Sequence, residues 1–283
     1  MPRAVQPYLI LIRADRPIGT WLLLFPCWWT LTMAADGWPN LYFALLFAIG
    51  AFLMRGAGCV MNDLADRNYD GLVARTATRP IPNGDVTPKQ AALFMGLLCL
   101  CGLVILLQFN TFTVFLGIAS LALVFVYPFC KRWTYWPQAV LGLTFNWGAL
   151  VGWAAVTGEV GLPAICIYFA GLFWTLGYDT IYAHQDKEDD ELIGIKSAAL
   201  RLGDKTRPAI CIFYGLALGL ITLGGTLAGL NWLFYIGLLA PAAHLLWQIL
   251  KLDIHNPTIC LKLFKANRWF GWLLLGAFLL GKF

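Results

Sequence analysis

Residues 40–70 read NLYFALLFAIGAFLMRGAGCVMNDLADRNYD, an apolar run that leads directly into a segment rich in acids. Residues 40–61 contain one charged side chain, Arg55, and are long enough to span a hydrocarbon core of about 30 Å as a helix. The residues that follow, Asn62 to Asp70, hold three aspartates. This stretch predicts a membrane-spanning helix whose end carries a polar site.

The composition extends this prediction to the rest of the 283-residue chain. Hydrophobic residues make up 60% of the chain and charged residues only 12%. A soluble globular chain carries about 25% charged residues, and a disordered chain has few aromatics. The mean hydropathy of +0.70 agrees. These values indicate a membrane protein and exclude both other classes.

Nine apolar runs predict an all-α polytopic membrane protein, a bundle of about nine transmembrane helices. Pro17 and Pro88 suit first helical turns, while Asn110 and Gly229–Asn231 are typical of tight connections between antiparallel helices. Alternate loops lack Lys and Arg, so the positive-inside rule makes the basic loops and the N-terminus cytoplasmic. The net charge of +5 is thus a topology signal, and nucleic-acid binding is not expected. The runs are 17–35, 40–61, 88–108, 111–129, 136–156, 162–183, 207–228, 231–250 and 266–282.

The first acidic segment follows the second apolar run. If that helix continues past the membrane edge, Asn62, Asp66 and Asp70 follow one another at intervals of about one turn. The three side chains then share one face of the helix. Carboxylates stacked in this way repel one another, and a divalent cation between their oxygens removes the repulsion. The spacing therefore favours a metal site over a solvated acidic face, which is the alternative.

The second acidic segment repeats this arrangement after the sixth run. Asp186 and Asp190 are four residues apart, with Asp179 two helical turns earlier. Both segments fall on the same predicted side of the membrane. An oxygen donor set without His or Cys suits Mg²⁺, which usually keeps phosphate oxygens in its shell. The pattern predicts two helical faces that bind a diphosphate through Mg²⁺.

Basic side chains near these segments could neutralise the phosphate oxygens that Mg²⁺ does not reach, or could serve only as topology signals. Arg55 differs from them because it lies inside an apolar run, where an ionisable residue usually faces a cavity or a partner. We expect it to bind an anionic substrate group such as a carboxylate; snorkelling or pairing with an aspartate are the alternatives. The other candidates are Arg67, Arg75, Arg79, Lys131, Arg132, Lys187 and Lys196.

Three short motifs carry a family resemblance. Asn62–Asp70 has the form NDxxDxxxD, Asp186–Asp190 the form DxxxD, and Tyr127–Lys131 the form YxxxK. Together they resemble the UbiA superfamily of intramembrane prenyltransferases over nearly the whole chain, which implies a single UbiA-like domain at 1–283. Flanking segments such as Arg55–Cys59 are most similar to the branch that prenylates 4-hydroxybenzoate.

The resemblance implies Mg²⁺-dependent transfer of a polyprenyl group from polyprenyl diphosphate to carbon 3 of 4-hydroxybenzoate, an early step of ubiquinone biosynthesis. Asp179 would position or deprotonate the phenol, and Tyr127 and Lys131 would join the substrate site. The enzyme would lie in a bacterial or mitochondrial inner membrane, with its active site facing the cytoplasm or matrix. The implied metal ligands are Asn62, Asp66, Asp70, Asp186 and Asp190.

Two alternatives stay open on the sequence. One is a prenyltransferase of the same kind with another acceptor: homogentisate, haem, a naphthoate or a lipid alcohol. The other is a transporter that uses Arg55 and the acids as an ion pathway. A transporter would favour helices broken at mid-membrane, whereas these acids cluster at one boundary.

Overall fold

The computed structural model describes residues 5–70, 76, 78–130, 132–187, 192, 194 and 196–283, and the side chains of all of these except 68–70. Every regular element in this part of the chain is helical. One 3₁₀ turn, Gly203–Lys205, accompanies the α-helices. The α-helices are α1 Gln6–Leu11, α2 Ile18–Ala34, α3 Leu41–Asp70, α4 Pro88–Leu106, α5 Thr111–Ala119, α6 Leu121–Cys130, α7 Pro137–Phe145, α8 Gly148–Thr157, α9 Leu162–Ala183, α10 Ala198–Leu202, α11 Thr206–Leu227, α12 Trp232–Lys251 and α13 Pro257–Leu280.

The helix starts follow the capping residues in the sequence. Thr87 and Gln90 form a capping box before α4, in which the Thr87 side chain accepts from the Gln90 amide and Gln90 Oε1 accepts from the Thr87 amide. Asn110 and Asn231 cap α5 and α12 with their side chains alone, whose Oδ1 atoms accept from the backbone amides of Thr113 at 2.9 Å and Leu233 at 2.8 Å. Gly229 has a positive φ of 71°, which suits the tight connection before α12. The predicted short connections are confirmed.

Three of the predicted helices differ in detail. The last one begins at Pro257 rather than at residue 266, since its first turns extend the helix past the apolar run on which the prediction rested. Residues 111–130 form α5 and α6, separated at Ser120, whose Oγ donates to the Gly117 carbonyl at 2.6 Å. Residues 137–157 form α7 and α8, separated at Asn146, whose Nδ2 donates to the Gly142 carbonyl at 2.8 Å. These side chains bond to backbone carbonyls of the preceding turn, which is how a polar residue interrupts a helix.

Seven helical segments within the described residues are long and apolar enough to cross a membrane. The shorter helix α2 is also apolar, and α13, which carries Lys262, Lys265 and Arg268, is not among the seven. The all-α polytopic class is confirmed, whereas the number nine and the orientation of the N-terminus stay predictions.

The helices differ in how much of their surface is buried in protein. In its most apolar window α9 is 67% buried, against 11% for α4. The side chains of Leu93, Leu97, Leu100 and Val104 form an exposed stripe along α4, as expected of a helix that faces lipid. Helix α9 is therefore the centre of the bundle, with α7 and α11 packed against it and α13 closing the bundle against α2.

Candidate active site

The first acidic segment lies on a helix that continues to Asp70, as predicted. Asn62 is half-buried and Asp66 is only 2% exposed, so its carboxylate is shielded from bulk water. They are one turn apart on α3 and share a face. The side chain of Asp70 lies outside the described residues. This end of α3 supplies oxygen donors in a protected position.

The second acidic segment does not continue α9. The helix ends at Ala183, and the next amides bond three residues back: Gln185 N to Tyr182 O at 3.0 Å and Asp186 N to Ala183 O at 3.4 Å. Asp179 is therefore on α9, whereas Asp186 is in a turn beyond it. The expectation that Asp179 and Asp186 lie on one continuous helical face is wrong. Hydrogen bonds to the carbonyl three residues back, rather than four, tighten the chain into a turn after Ala183. Asp190 lies outside the described residues.

Tyr127 on α6 links the two segments. The residue is half-buried, and its hydroxyl lies within electrostatic range of Asp66 on α3 and of Asp179 on α9. Helix α6 packs against both α3 and α7, and α7 packs against α9. The two acid-bearing helices therefore face a common region, as the sequence predicts.

Arg55 points into the same region. Its guanidinium carbon lies 5.4 Å from the ring centroid of Phe145, and its charge acts on Asp179 and on Tyr127. Gly19 on α2 makes room for it, because a Cβ atom at Gly19 would lie 2.9 Å from Nη2 and would overlap Nε. Arg55 is thus held inside the bundle by an aromatic ring and a close backbone approach. Its predicted role in binding a carboxylate stays a prediction.

Asp63 has a different role from its neighbours. It is 1% exposed, and its carboxylate accepts from Arg13 Nη2 at 2.8 Å and 2.9 Å and from Arg79 Nη1 at 3.1 Å. The sequence did not reveal the part played by Arg13, which lies 50 residues away along the chain. The only signal in the sequence was that Asp63 is the one aspartate of Asn62–Asp70 that is not among the proposed metal ligands. Asp63 ties α3 to the segments before and after it.

Replacing Asp63 by Asn is expected to destabilise the protein by about 3 kcal/mol, because it leaves two partly buried guanidinium groups without their carboxylate. Thermal unfolding of the purified protein in detergent measures this. Asp15→Asn is the matched control, since its pair with Arg16 at 3.1 Å is exposed and contributes less than about 1 kcal/mol. An equal change in melting temperature for both variants would contradict the structural role of Asp63.

The other predicted phosphate-binding cations are placed as follows. Arg79 contacts Asp63, and Arg132 Nη2 donates to the Ala65 carbonyl at 3.2 Å, which brings it to the acidic end of α3. Lys196 Nζ donates to the Trp133 carbonyl at 3.4 Å. Lys187 is half-buried and Arg67 is exposed at the end of α3, while Lys131 and Arg75 lie outside the described residues. Their roles toward phosphate stay predictions.

His184, directly after α9, was missed by the sequence analysis. Burial, together with the smaller effects of the charges of Lys187 and His255, lowers its pKa from 6.5 to about 4. The imidazole is therefore neutral at pH 7 and carries a single N–H. Its Nε2 lies 2.9 Å from Thr206 Oγ1.

The donor chemistry fits Mg²⁺. The described candidates, Asn62, Asp66 and Asp186, can ligate a metal only through oxygen atoms, which a hard divalent cation prefers. Within the described part of the chain no three His, Cys, Asp or Glu residues form a group that could hold a metal by themselves. Asp70 and Asp190 are the remaining candidates, and neither side chain is described. Substrate phosphate oxygens are the usual further ligands of Mg²⁺ in such sites.

The structure is a helical membrane bundle in which the acid-bearing helices α3 and α9 face one region, an arrangement that suits an intramembrane enzyme. The UbiA prenyltransferase family model matches residues 23–276, and the chain belongs to this family. It is 49% identical to human mitochondrial 4-hydroxybenzoate polyprenyltransferase over 284 residues, covering 99% of this chain and 76% of the relative. The Arabidopsis thaliana protein of the same name is 48% identical over 286 residues, covering 100% of this chain and 70% of the relative.

Solved structures share the fold. A UbiA homologue from Aeropyrum pernix K1 without ligand superposes with a TM-score of 0.75 at 23% identity, covering 92% of this chain and 96% of its own. A homologue from Archaeoglobus fulgidus bound to GPP and Mg²⁺ has a TM-score of 0.70 at 19% identity, covering 95% of this chain and 99% of its own. The predicted fold family is confirmed.

Proposed function

We propose that this enzyme transfers a polyprenyl group from polyprenyl diphosphate to carbon 3 of 4-hydroxybenzoate in a reaction that requires Mg²⁺. We also propose that the chain forms a single domain. The observation that carries the proposal is its similarity, at 48% and 49% identity over essentially the whole chain, to proteins named 4-hydroxybenzoate polyprenyltransferase. The convergence of Arg55, Tyr127 and Asp179 on one region supports it, because these groups suit a phenol that bears a carboxylate.

The part of the site that contains the proposed metal ligands binds the diphosphate of the prenyl donor, and we call it the donor half. Asn62, Asp66 and Asp186 would hold Mg²⁺, together with Asp70 and Asp190. When bound, Mg²⁺ supplies the positive charge that stabilises the leaving diphosphate as the allylic C–O bond breaks. Burial of Asp66 strengthens its electrostatic interactions, since the surrounding dielectric is low.

Cations complete this donor half. The Ala65 carbonyl holds the Arg132 guanidinium beside the acidic end of α3, where its remaining donors can bind phosphate oxygens. Arg67, Arg79, Lys131, Lys187 and Lys196 are the other candidates for this role.

The part of the site around Arg55 and Asp179, the acceptor half, orients the phenol that accepts the prenyl group. Arg55 binds the carboxylate with its guanidinium against Phe145, and Asp179 accepts a hydrogen bond or a proton from the phenol hydroxyl. The charges of Asp66 and Asp179 both act on the Tyr127 hydroxyl, so we place Tyr127 at the border of both halves. Electron donation from the phenol oxygen directs the ortho carbon to the allylic carbon, where the new C–C bond forms. The diphosphate leaves with the electrons of the C–O bond, and a base takes the ring proton.

Gly19→Ala is expected to raise the KM for 4-hydroxybenzoate about tenfold, because the added methyl group displaces Arg55 and weakens a charge-assisted hydrogen bond to the carboxylate. The KM for the prenyl diphosphate should not change. Steady-state kinetics in detergent measure both constants. Gly96→Ala in α4 is the matched control, since its Cβ meets no atom within 4 Å. An unchanged KM for 4-hydroxybenzoate in Gly19→Ala would argue against the role of Arg55.

A panel of acceptors tests the proposed substrate. Membranes that contain the enzyme receive one radiolabelled prenyl diphosphate, Mg²⁺, and either 4-hydroxybenzoate, homogentisate, haem, a naphthoate or a lipid alcohol. We expect label only in the 4-hydroxybenzoate product. Preferential labelling of another acceptor would replace 4-hydroxybenzoate and leave prenyl transfer intact.

The interrupted helices do not favour transport. The breaks at Ser120 and at Asn146–Trp147 carry no ionisable side chain, so they do not extend an ion pathway from Arg55. We propose that the enzyme lies in a bacterial or mitochondrial inner membrane with the acidic segments facing the cytoplasm or matrix, since the basic residues cluster on that side.

A further inference from the structure

One side-chain hydrogen bond joins the end of α9 to the start of α11. His184 Nε2 lies 2.9 Å from Thr206 Oγ1, and the two residues are 5% and 0% exposed. His184 directly follows α9, and Thr206 is the first residue of α11. The second acidic segment lies between them in the sequence.

The direction of this bond follows from the surroundings of Thr206. Its Oγ1 donates to the Gly203 carbonyl at 2.7 Å, so the hydroxyl proton is already engaged. His184 must therefore carry its proton on Nε2 and donate it to Thr206 Oγ1. The bond has a fixed donor and acceptor, and both groups are removed from competing water.

Thr206 is itself fixed to the bundle. Helix α11 packs along α9, and Gly177 and Tyr214 approach each other closely between the two helices. Arg207 Nη2 donates to the Leu252 carbonyl at 2.6 Å, which ties the start of α11 to the end of α12. His184 is thus fastened to a rigid framework.

Asp186 lies two residues beyond His184. The chain leaves α9 through tight backbone bonds, with the last of them from Asp186 N to Ala183 O at 3.4 Å. A fixed His184 therefore limits where the Asp186 carboxylate can lie. Without that anchor, ordering the turn would cost conformational entropy at the moment the ligand binds.

We propose that the His184–Thr206 hydrogen bond is a clasp that holds Asp186 in place for Mg²⁺ and diphosphate, which makes both residues positioning residues. The inference rests on the proposed function, because it assumes that Asp186 is a ligand. Partners behind the direct ligands of a metal typically contribute about 10- to 100-fold to its affinity. We expect loss of the His184–Thr206 bond to lower the affinity for Mg²⁺ by a factor in this range.

Thermal unfolding of the purified protein tests the clasp. The melting temperature is followed in detergent while Mg²⁺ is titrated at a fixed concentration of inorganic diphosphate. His184→Leu and Thr206→Val remove the bond, whereas His184→Gln retains a nitrogen donor at similar reach and Thr206→Ser retains the hydroxyl. His244→Leu is the matched control, since it removes a contact of 3.1 Å between a half-buried histidine and the Ala266 carbonyl on other helices.

We expect the Mg²⁺ concentration at half-maximal stabilisation to rise about tenfold or more in His184→Leu and Thr206→Val. It should stay close to the wild-type value in the Gln, Ser and control variants, whatever their melting temperatures without ligand. Unchanged half-maximal concentrations in His184→Leu and Thr206→Val would overturn the clasp. A wild-type protein that Mg²⁺ and diphosphate do not stabilise would instead overturn the proposed metal site. The Mg²⁺ concentration at half-maximal stabilisation could rise in these two variants while the wild-type enzyme fails to prenylate 4-hydroxybenzoate. That result would support the clasp and would count only against the proposed acceptor.

Discussion

Asp66→Asn is expected to lower the turnover number about a thousandfold, the scale of losing one fixed charge partner in a catalytic site. Asp66 is 2% exposed at the end of α3 and is the best shielded of the proposed Mg²⁺ ligands that the structure describes. The amide has nearly the same shape as the carboxylate but lacks its charge. The substitution therefore removes affinity for Mg²⁺ and diphosphate more than it disturbs packing.

The measurement is prenyl transfer by purified enzyme at saturating substrates, across a range of Mg²⁺ concentrations. Glu159→Gln is the control, because Glu159 is an exposed acid in the loop between α8 and α9, and it should retain full turnover. Near-normal turnover of Asp66→Asn at saturating Mg²⁺ would show that Asp66 does not hold the metal.

Asp179→Asn is expected to lower the turnover number by about 10²- to 10⁴-fold, the range that a positioned general base contributes. Asp179 is on α9, the helix at the centre of the bundle, and the charge of Arg55 acts on it. An amide at this position can still hydrogen-bond the phenol but takes no proton from it. The KM for prenyl diphosphate should therefore stay near its wild-type value.

Thr180→Val is the control for this prediction, since Thr180 is fully buried on the same helix and its hydroxyl has no hydrogen-bond partner among the described residues. It should turn over substrate like the wild-type enzyme. If Asp179→Asn raised the KM for prenyl diphosphate and left turnover unchanged, Asp179 would belong to the donor half of the site.

The sequence predicts the helices well because each apolar run must satisfy its own backbone hydrogen bonds in a membrane. The starts of α4, α5 and α12 coincide with local capping signals at Thr87, Asn110 and Asn231. The interruptions at Ser120 and Asn146 were missed. Their side chains bond to carbonyls of the preceding turn, and the apolar pattern continues on both sides of each break.

The candidate site was predictable where the signal is local. The spacing of Asn62 and Asp66 predicted a shared face because α3 does continue to Asp70. The same reasoning failed after α9, since an acidic segment does not reveal whether its helix has already ended at Ala183.

Long-range partners are the other part that sequence spacing does not supply. The contact between Arg13 and Asp63 and the bond between His184 and Thr206 each join residues far apart along the chain. They depend on how helices meet in three dimensions, and no periodic pattern in the sequence encodes them.

Mass spectrometry of the product formed from 4-hydroxybenzoate deuterated at carbons 3 and 5 tests the central claim most directly. Membranes containing the enzyme receive this acceptor, Mg²⁺ and a mixture of polyprenyl diphosphates. The account predicts a product that carries one prenyl group and has lost one of the two deuterium atoms, as C–C bond formation at carbon 3 requires. A prenylated product that retains both deuterium atoms, or release of diphosphate without any prenylated 4-hydroxybenzoate, would contradict it.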